Sequence, residues 1–89
     1  MDKAVDVRIT GMVQGVSFRA YTREQARGLG VSGWVRNEPD GSVSGHFEGP
    51  GRAVDALVEW CRHGPAYADV EHVEVTRGES TGAADFAVR

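Results

Sequence analysis

Two stretches of helical spacing set among stretches of alternating spacing decide the fold class of this 89-residue chain. Val5, Val7 and Ile9 alternate with Asp6, Arg8 and Thr10, the pattern of a strand buried on one face. Gly11 to Phe18 interrupts it, with Gly11 and Gly15 as punctuation. Phe18, Thr22, Ala26 and Leu29 then recur at helical spacing. A helix is expected to start at Ser17 or Phe18, with Ser17 available as N-cap and Gly30 as the glycine beyond its end. Val31 to Asn37 reads as a second strand. Glu38-Pro39-Asp40-Gly41 has proline second and glycine fourth, as a type I turn prefers. Ser42 to Glu48 alternates again through Val43, Gly45 and Phe47, which completes a hairpin. Gly49-Pro50 opens a second helix with the apolar stripe Val54, Leu57, Val58 and Cys61, and Gly64-Pro65 ends it. Val73 and Val75 mark a fourth strand, Phe86 and Val88 a short fifth.

This order predicts an α+β protein: a ferredoxin-like β-α-β-β-α-β sandwich, an antiparallel sheet with two helices on one face and a short extra C-terminal strand. So few residues support one core, so residues 1–89 are expected to form a single domain. Ten basic residues against thirteen acidic ones give a net charge of −3, which argues against a nucleic-acid partner. An RNA-binding sheet of this topology would also need stacked aromatics on its central strands, and these carry Phe47 alone. The single cysteine excludes an internal disulfide and multi-cysteine zinc sites. Ile9 to Phe18 is the longest run without a charge and is too short to span a bilayer, and Met1-Asp2-Lys3 opens no apolar signal core. The expectation is a cytoplasmic monomer.

The topology also gathers candidate site residues. In a split β-α-β unit the first two strands run parallel with the third between them, so their C-terminal ends share one rim. The loop Gly11–Phe18 leaves that rim and Asn37 ends on it. The gap is two strand spacings, about 9.5 Å, which a long side chain can bridge. Asn37 has the parity of Val31 and Val35, hence of the helix-packed face. Loop, Arg19 and Asn37 should meet in one pocket. Successive amides in Gln14-Gly15-Val16-Ser17-Phe18, entering a helix N-terminus, can bind an anion, and Arg19 adds a fork matched to phosphate oxygens. A plain β-α connection with a surface arginine is the competing reading, and local chemistry alone favours it because such junctions are common.

Two motifs change that balance. Gly11-Met12-Val13-Gln14-Gly15-Val16-Ser17-Phe18-Arg19 resembles the G-x-V-Q-G-V-x-F-R signature of acylphosphatases. Gly33-Trp34-Val35-Arg36-Asn37 with Asp40-Gly41-Ser42-Val43 resembles the family's second signature, G-W-V-R-N-x-x-D-G-S-V. The likeness extends through Glu48-Gly49-Pro50 and Glu59-Trp60-Cys61, and is looser after the second helix, where Pro65 is followed by Ala66 rather than a second proline. The resemblance implies hydrolysis of the carboxyl–phosphate bond of a small-molecule acyl phosphate, with inorganic phosphate as product and without a metal or organic cofactor. It implies that Arg19 binds phosphate, that Asn37 positions water, and that Gln14, Gly15, Val16, Ser17 and Phe18 form the phosphate cradle. Acetyl phosphate, carbamoyl phosphate, 1,3-bisphosphoglycerate and phosphoaspartate all offer the same reacting bond. The alternative is a non-catalytic ferredoxin-like module that binds phosphate or a phosphoprotein.

Other chemistry-bearing residues read as structural. His46, His63 and His72 lack ligand spacing, and Cys61 lies on the apolar stripe. Trp34 has the parity of the outer sheet face. Arg8, Arg36 and Arg77 read as solubilising.

Overall fold

The computed structural model describes residues Met1–Arg89. Its elements are β1 (Asp2–Met12), α1 (Phe18–Leu29), β2 (Ser32–Asn37), β3 (Val43–Pro50), α2 (Gly51–His63), β4 (Asp69–Arg77) and β5 (Phe86–Val88). The sheet order is β4-β1-β3-β2-β5. β3 lies antiparallel between β1 and β2, which therefore run parallel, as the split unit requires. β5 pairs in parallel with β2 on the far edge, so the extra strand makes an otherwise antiparallel ferredoxin-like sheet mixed.

One face of the sheet carries the core. Val5, Val7, Ile9, Val35, Val43, Phe47, Val73 and Phe86 pack there with Phe18, Ala26, Val54, Leu57 and Cys61 from the two helices. All four residues expected on the α2 stripe are buried. Gly30 closes α1 in the left-handed conformation (φ 76°), where its amide reaches the Ala26 and Arg27 carbonyls. β3 runs on through Pro50, so the proline caps α2 rather than sitting in its first turn. At Gly11 β1 bulges, and a Cβ would lie 2.2 Å from the Asp69 carbonyl oxygen. Only glycine allows that close pairing, which turns the chain out of the strand toward α1.

The opposite face holds a polar cluster. Asp6, His46 and Trp34 stand side by side across β1, β3 and β2, with Glu48 two residues along from His46. His46 Nδ1 lies 2.7 Å from the Asp6 carboxylate and Nε2 2.5 Å from that of Glu48. An ionised carboxylate only accepts, so both contacts require the imidazolium form, donating from both nitrogens. Burial alone would lower the His46 pKa, but the bonds to Asp6 and Glu48 outweigh it and raise the value above 6.5. Burial would likewise raise Glu48, yet hydrogen bonds led by those from Thr81 hold its carboxyl down at about 2.

The signs of these shifts define a pH window. Glu48 stabilises the fold above its ordinary value of 4.5, and loses that contribution as pH falls toward 2. His46 stabilises the fold below 6.5, and loses its contribution as pH rises through its raised value. The cluster therefore contributes most between about 4.5 and 6.5. Thermal unfolding followed across pH should show the Tm gap between wild type and His46→Gln widest in that window and narrower at about pH 9. A gap that grows with pH would contradict the imidazolium assignment.

Candidate active site

The chain leaves β1, makes the short loop from Val13 to Ser17, and enters α1. Two left-handed residues shape it: Gly15 at φ 76° and Ser17 at φ 60°, ψ 26°. Ser17 is the only non-glycine residue with positive φ. Such a conformation costs about 1–3 kcal/mol and persists where surrounding structure imposes it. Ser17 occupies the expected N-cap position, but its side chain caps nothing. Left-handed residues interleaved with right-handed ones curl successive N–H groups toward one point. The amides of Gly15, Val16, Ser17, Phe18, Arg19 and Ala20 donate to no carbonyl or side chain of the protein. They stand at the positive end of the α1 dipole.

What holds the loop in place comes from the hairpin. The Gln14 side-chain amide donates to the Glu38 carbonyl at 2.8 Å and to the Ser42 carbonyl at 2.9 Å. The hairpin itself is firm: the Asp40 carboxylate accepts from the Ser42 amide at 2.9 Å and from its hydroxyl at 2.6 Å, and Gly41 donates to the Glu38 carbonyl at 3.1 Å. Arg8 pairs with Asp40, and Arg36 with Glu38 at 2.8 Å, so these two cations brace the hairpin. From the core side, Phe18 is buried and its ring packs 5.7 Å from that of Trp60.

Gly15, Ser17, Phe18 and Arg19 line one cavity of about 380 Å³ together with Asn37. Val13 and Val88 supply apolar wall. Arg19 is half-buried, and its guanidinium donates from Nη1 to the main-chain oxygen of Arg89 at 3.1 Å. Asn37 ends β2, and its Oδ1 is buried with no hydrogen-bond partner, which is true of no other buried side-chain polar atom. A buried acceptor left unpaired costs about 1–3 kcal/mol, and a group donating to it from the cavity recovers that cost. Gln14 and Val16 do not line the cavity: Gln14 ties the loop down and Val16 packs on the core.

The walls carry no carboxylate, imidazole or thiol. The arrangement thus offers free amides, a helix dipole and one guanidinium to an anion, plus one amide oxygen able to orient a donor such as water. Cys61 is buried and its thiol is pushed up to about 12 by burial, so it supplies no thiolate. A larger hollow of about 770 Å³ lies at the other end of the sheet, near Ser32, Glu48 and Arg77, but it has neither a helix N-terminus nor an unpaired buried acceptor. The sequence reading missed two contributors, Val88 and Arg89. Nothing local marks them, because their place depends on which edge β5 joins.

Known proteins share both the sequence and the fold of this chain. A family model described as Acylphosphatase matches residues 5–88. An acylphosphatase of Nocardioides sp. is 56% identical over 89 residues, covering 100% of this chain and 90% of that protein. The structure of an acylphosphatase from Coxiella burnetii superposes with a TM-score of 0.95 at 34% identity, over 99% of this chain and 93% of that one. That of acylphosphatase from Bacillus subtilis gives 0.93 at 32% identity, over 100% and 99%.

Proposed function

We infer how the site works from the premise that this chain belongs to the acylphosphatase family. It is an enzyme that hydrolyses acyl phosphates to a carboxylate and inorganic phosphate. In our reading the free amides from Gly15 to Ala20 and the Arg19 fork hold the three terminal phosphoryl oxygens, while Asn37 Oδ1 accepts from the attacking water. The water oxygen bonds to phosphorus and the bond from phosphorus to the acyl oxygen breaks. The bonding pair leaves with the carboxylate; one water proton stays on the attacking oxygen as the new P–OH, and the other passes to a phosphoryl oxygen and from there to solvent as pH dictates.

Few groups are needed for this. The leaving carboxylate is a weak base, stable as the anion near neutral pH, so no general acid has to protonate it. The phosphoryl oxygens need charge compensation and the water needs aim, and both are matters of fixed geometry. A carboxamide is too weak a base to deprotonate water before attack, so Asn37 orients and does not abstract. The observation that carries the reading is the meeting of unengaged amides, Arg19 and an unpaired buried acceptor around one cavity. Turnover of acetyl phosphate with release of phosphate is the test. Binding of phosphate without turnover would instead favour the non-catalytic anion-binding module.

The donor set of the cavity also supports a reaction without a resident metal or organic cofactor. Activity is accordingly expected to survive exhaustive dialysis against EDTA. Loss of turnover restored by a divalent cation would overturn this. No helix is long and apolar enough to cross a membrane. A single domain acting as a cytoplasmic monomer is the organisation we propose; the lone buried thiol of Cys61 suits a reducing compartment.

A further inference from the structure

The segment Gly78–Asp85 joins β4 on one edge of the sheet to β5 on the other. No main-chain hydrogen bond links one of its residues to another. Its first residue is tied by the Gly78 amide to the Ala4 carbonyl at 3.0 Å. Its last is tied at the Asp85 carbonyl, which accepts from Gly33 at 3.0 Å, and at the Asp85 carboxylate, gripped by Arg27 at 3.0 Å. Between these ends everything converges on one side chain. The Glu48 carboxylate accepts from the amides of Thr81, Gly82 and Ala83 at 2.9, 2.9 and 3.1 Å, and from the hydroxyls of Thr81 and Ser80 at 2.7 and 3.3 Å.

The strand this segment delivers is only Phe86–Val88, paired on one side. A ladder that short adds little by itself; Phe86, buried against Phe47, and Arg89, stacked over Trp34, seat the strand on the sheet, but neither holds the middle of the segment that leads into it. Yet it brings two groups to the cavity. Val88 forms part of the wall, and the next residue, Arg89, donates its amide to Val35 at 2.8 Å while its main-chain oxygen receives Arg19 Nη1 at 3.1 Å.

We propose that Glu48 is a positioning residue for the reaction: by anchoring the middle of the Gly78–Asp85 segment it keeps β5 docked on β2, and docked β5 holds the Arg19 guanidinium at the phosphate cavity before substrate arrives. The inference rests on the reading of Arg19 as the phosphate clamp. With the anchor weakened, β5 is docked for only a fraction of the time, and apparent affinity falls by that fraction. Saturating substrate draws the population back to the docked form. The signature is a rise in KM with kcat nearly unchanged, which a purely structural role, acting on Tm alone, would not give.

The experiment is steady-state hydrolysis of acetyl phosphate, with inhibition by inorganic phosphate, on the full chain at a temperature where circular dichroism shows every variant folded. Glu48→Gln is expected to raise KM and the phosphate inhibition constant together by about 3- to 10-fold, with kcat within about twofold of wild type. Amide exchange at Arg89 should accelerate in the same variant. Thr81→Val, which removes one donor to Glu48, should shift both constants about twofold in the same direction, and it decides the matter if Glu48→Gln does not fold. A folded Glu48→Gln, or failing that Thr81→Val, with wild-type KM and phosphate inhibition would overturn the proposal. Arg19→Ala is the control: if it keeps near-normal phosphate inhibition, the clamp reading falls and this inference with it, whereas loss there beside wild-type constants in Glu48→Gln overturns this inference alone.

Discussion

Arg19→Ala is expected to lose turnover of acetyl phosphate on the order of 10³–10⁵-fold in kcat/KM, the scale set by arginines that stabilise phosphoryl transfer elsewhere. The cavity holds no other cation, so the whole side-chain charge facing the dianion disappears with it. The loop amides and the helix dipole remain, which is why residual activity above background should survive. Inhibition by inorganic phosphate should weaken sharply as well, because the guanidinium meets the phosphoryl group in the ground state and the transition state alike. The fold should hold: Arg19 is half-buried and its side chain's only hydrogen bond is to the Arg89 main-chain oxygen, so the Tm should shift by no more than about 5 °C. Arg19→Lys keeps the charge and loses the fork, since a compact ammonium cannot span two oxygens in one plane. It should therefore remain severely impaired. Steady-state kinetics and phosphate inhibition on both variants, beside their melting curves, decide the point. Near-normal phosphate affinity in Arg19→Ala would take Arg19 out of the site.

How far such a site can be read before folding depends on the range of the interactions that make it. Parity and topology together place Asn37 beside the loop: a strand's period of two fixes its face and the split topology fixes its rim. The α2 stripe was equally local, and all its members are buried. Gln14 shows where locality ends. Its motif position suggested contact with substrate, yet both hydrogen bonds of its amide reach across to Glu38 and Ser42, a pairing that exists only once the hairpin stands beside the loop. His46 is a stronger case. One histidine in an alternating strand says nothing until register sets Asp6 opposite it, forty positions away, and register is a property of pairing rather than of either strand. For Ser17, propensity pointed to a capping hydroxyl, but the curvature of the loop demands a left-handed residue there and the cap is forfeited. β5 could be seen as a strand and not placed, since Glu48 and its partners on Gly78–Asp85 sit on a different element from the one they deliver.

Removal of the other working group should leave a different kinetic trace. Asn37 is neutral and contributes little to holding a dianion already gripped by amides and Arg19. Its Oδ1 acts on the water, whose alignment matters chiefly as the new bond forms. An interaction made only in the transition state lowers kcat and kcat/KM together when lost. Asn37→Ala is thus expected to lose about 10²–10³-fold in kcat, the cost of deleting one oriented catalytic amide, while phosphate inhibition stays close to wild type. The same change deletes a buried acceptor that nothing in the protein satisfies, so the variant should melt no lower than wild type, and a higher Tm would mark an exchange of stability for function. Asn37→Asp should not recover activity, because a carboxylate there would repel the phosphoryl oxygens it faces. Kinetics, phosphate inhibition and melting curves on both variants test the assignment. If Asn37→Ala weakened phosphate binding as strongly as it lowered kcat, the side chain would be a ligand of the phosphate or a support of the loop, and the water would be aimed by something else.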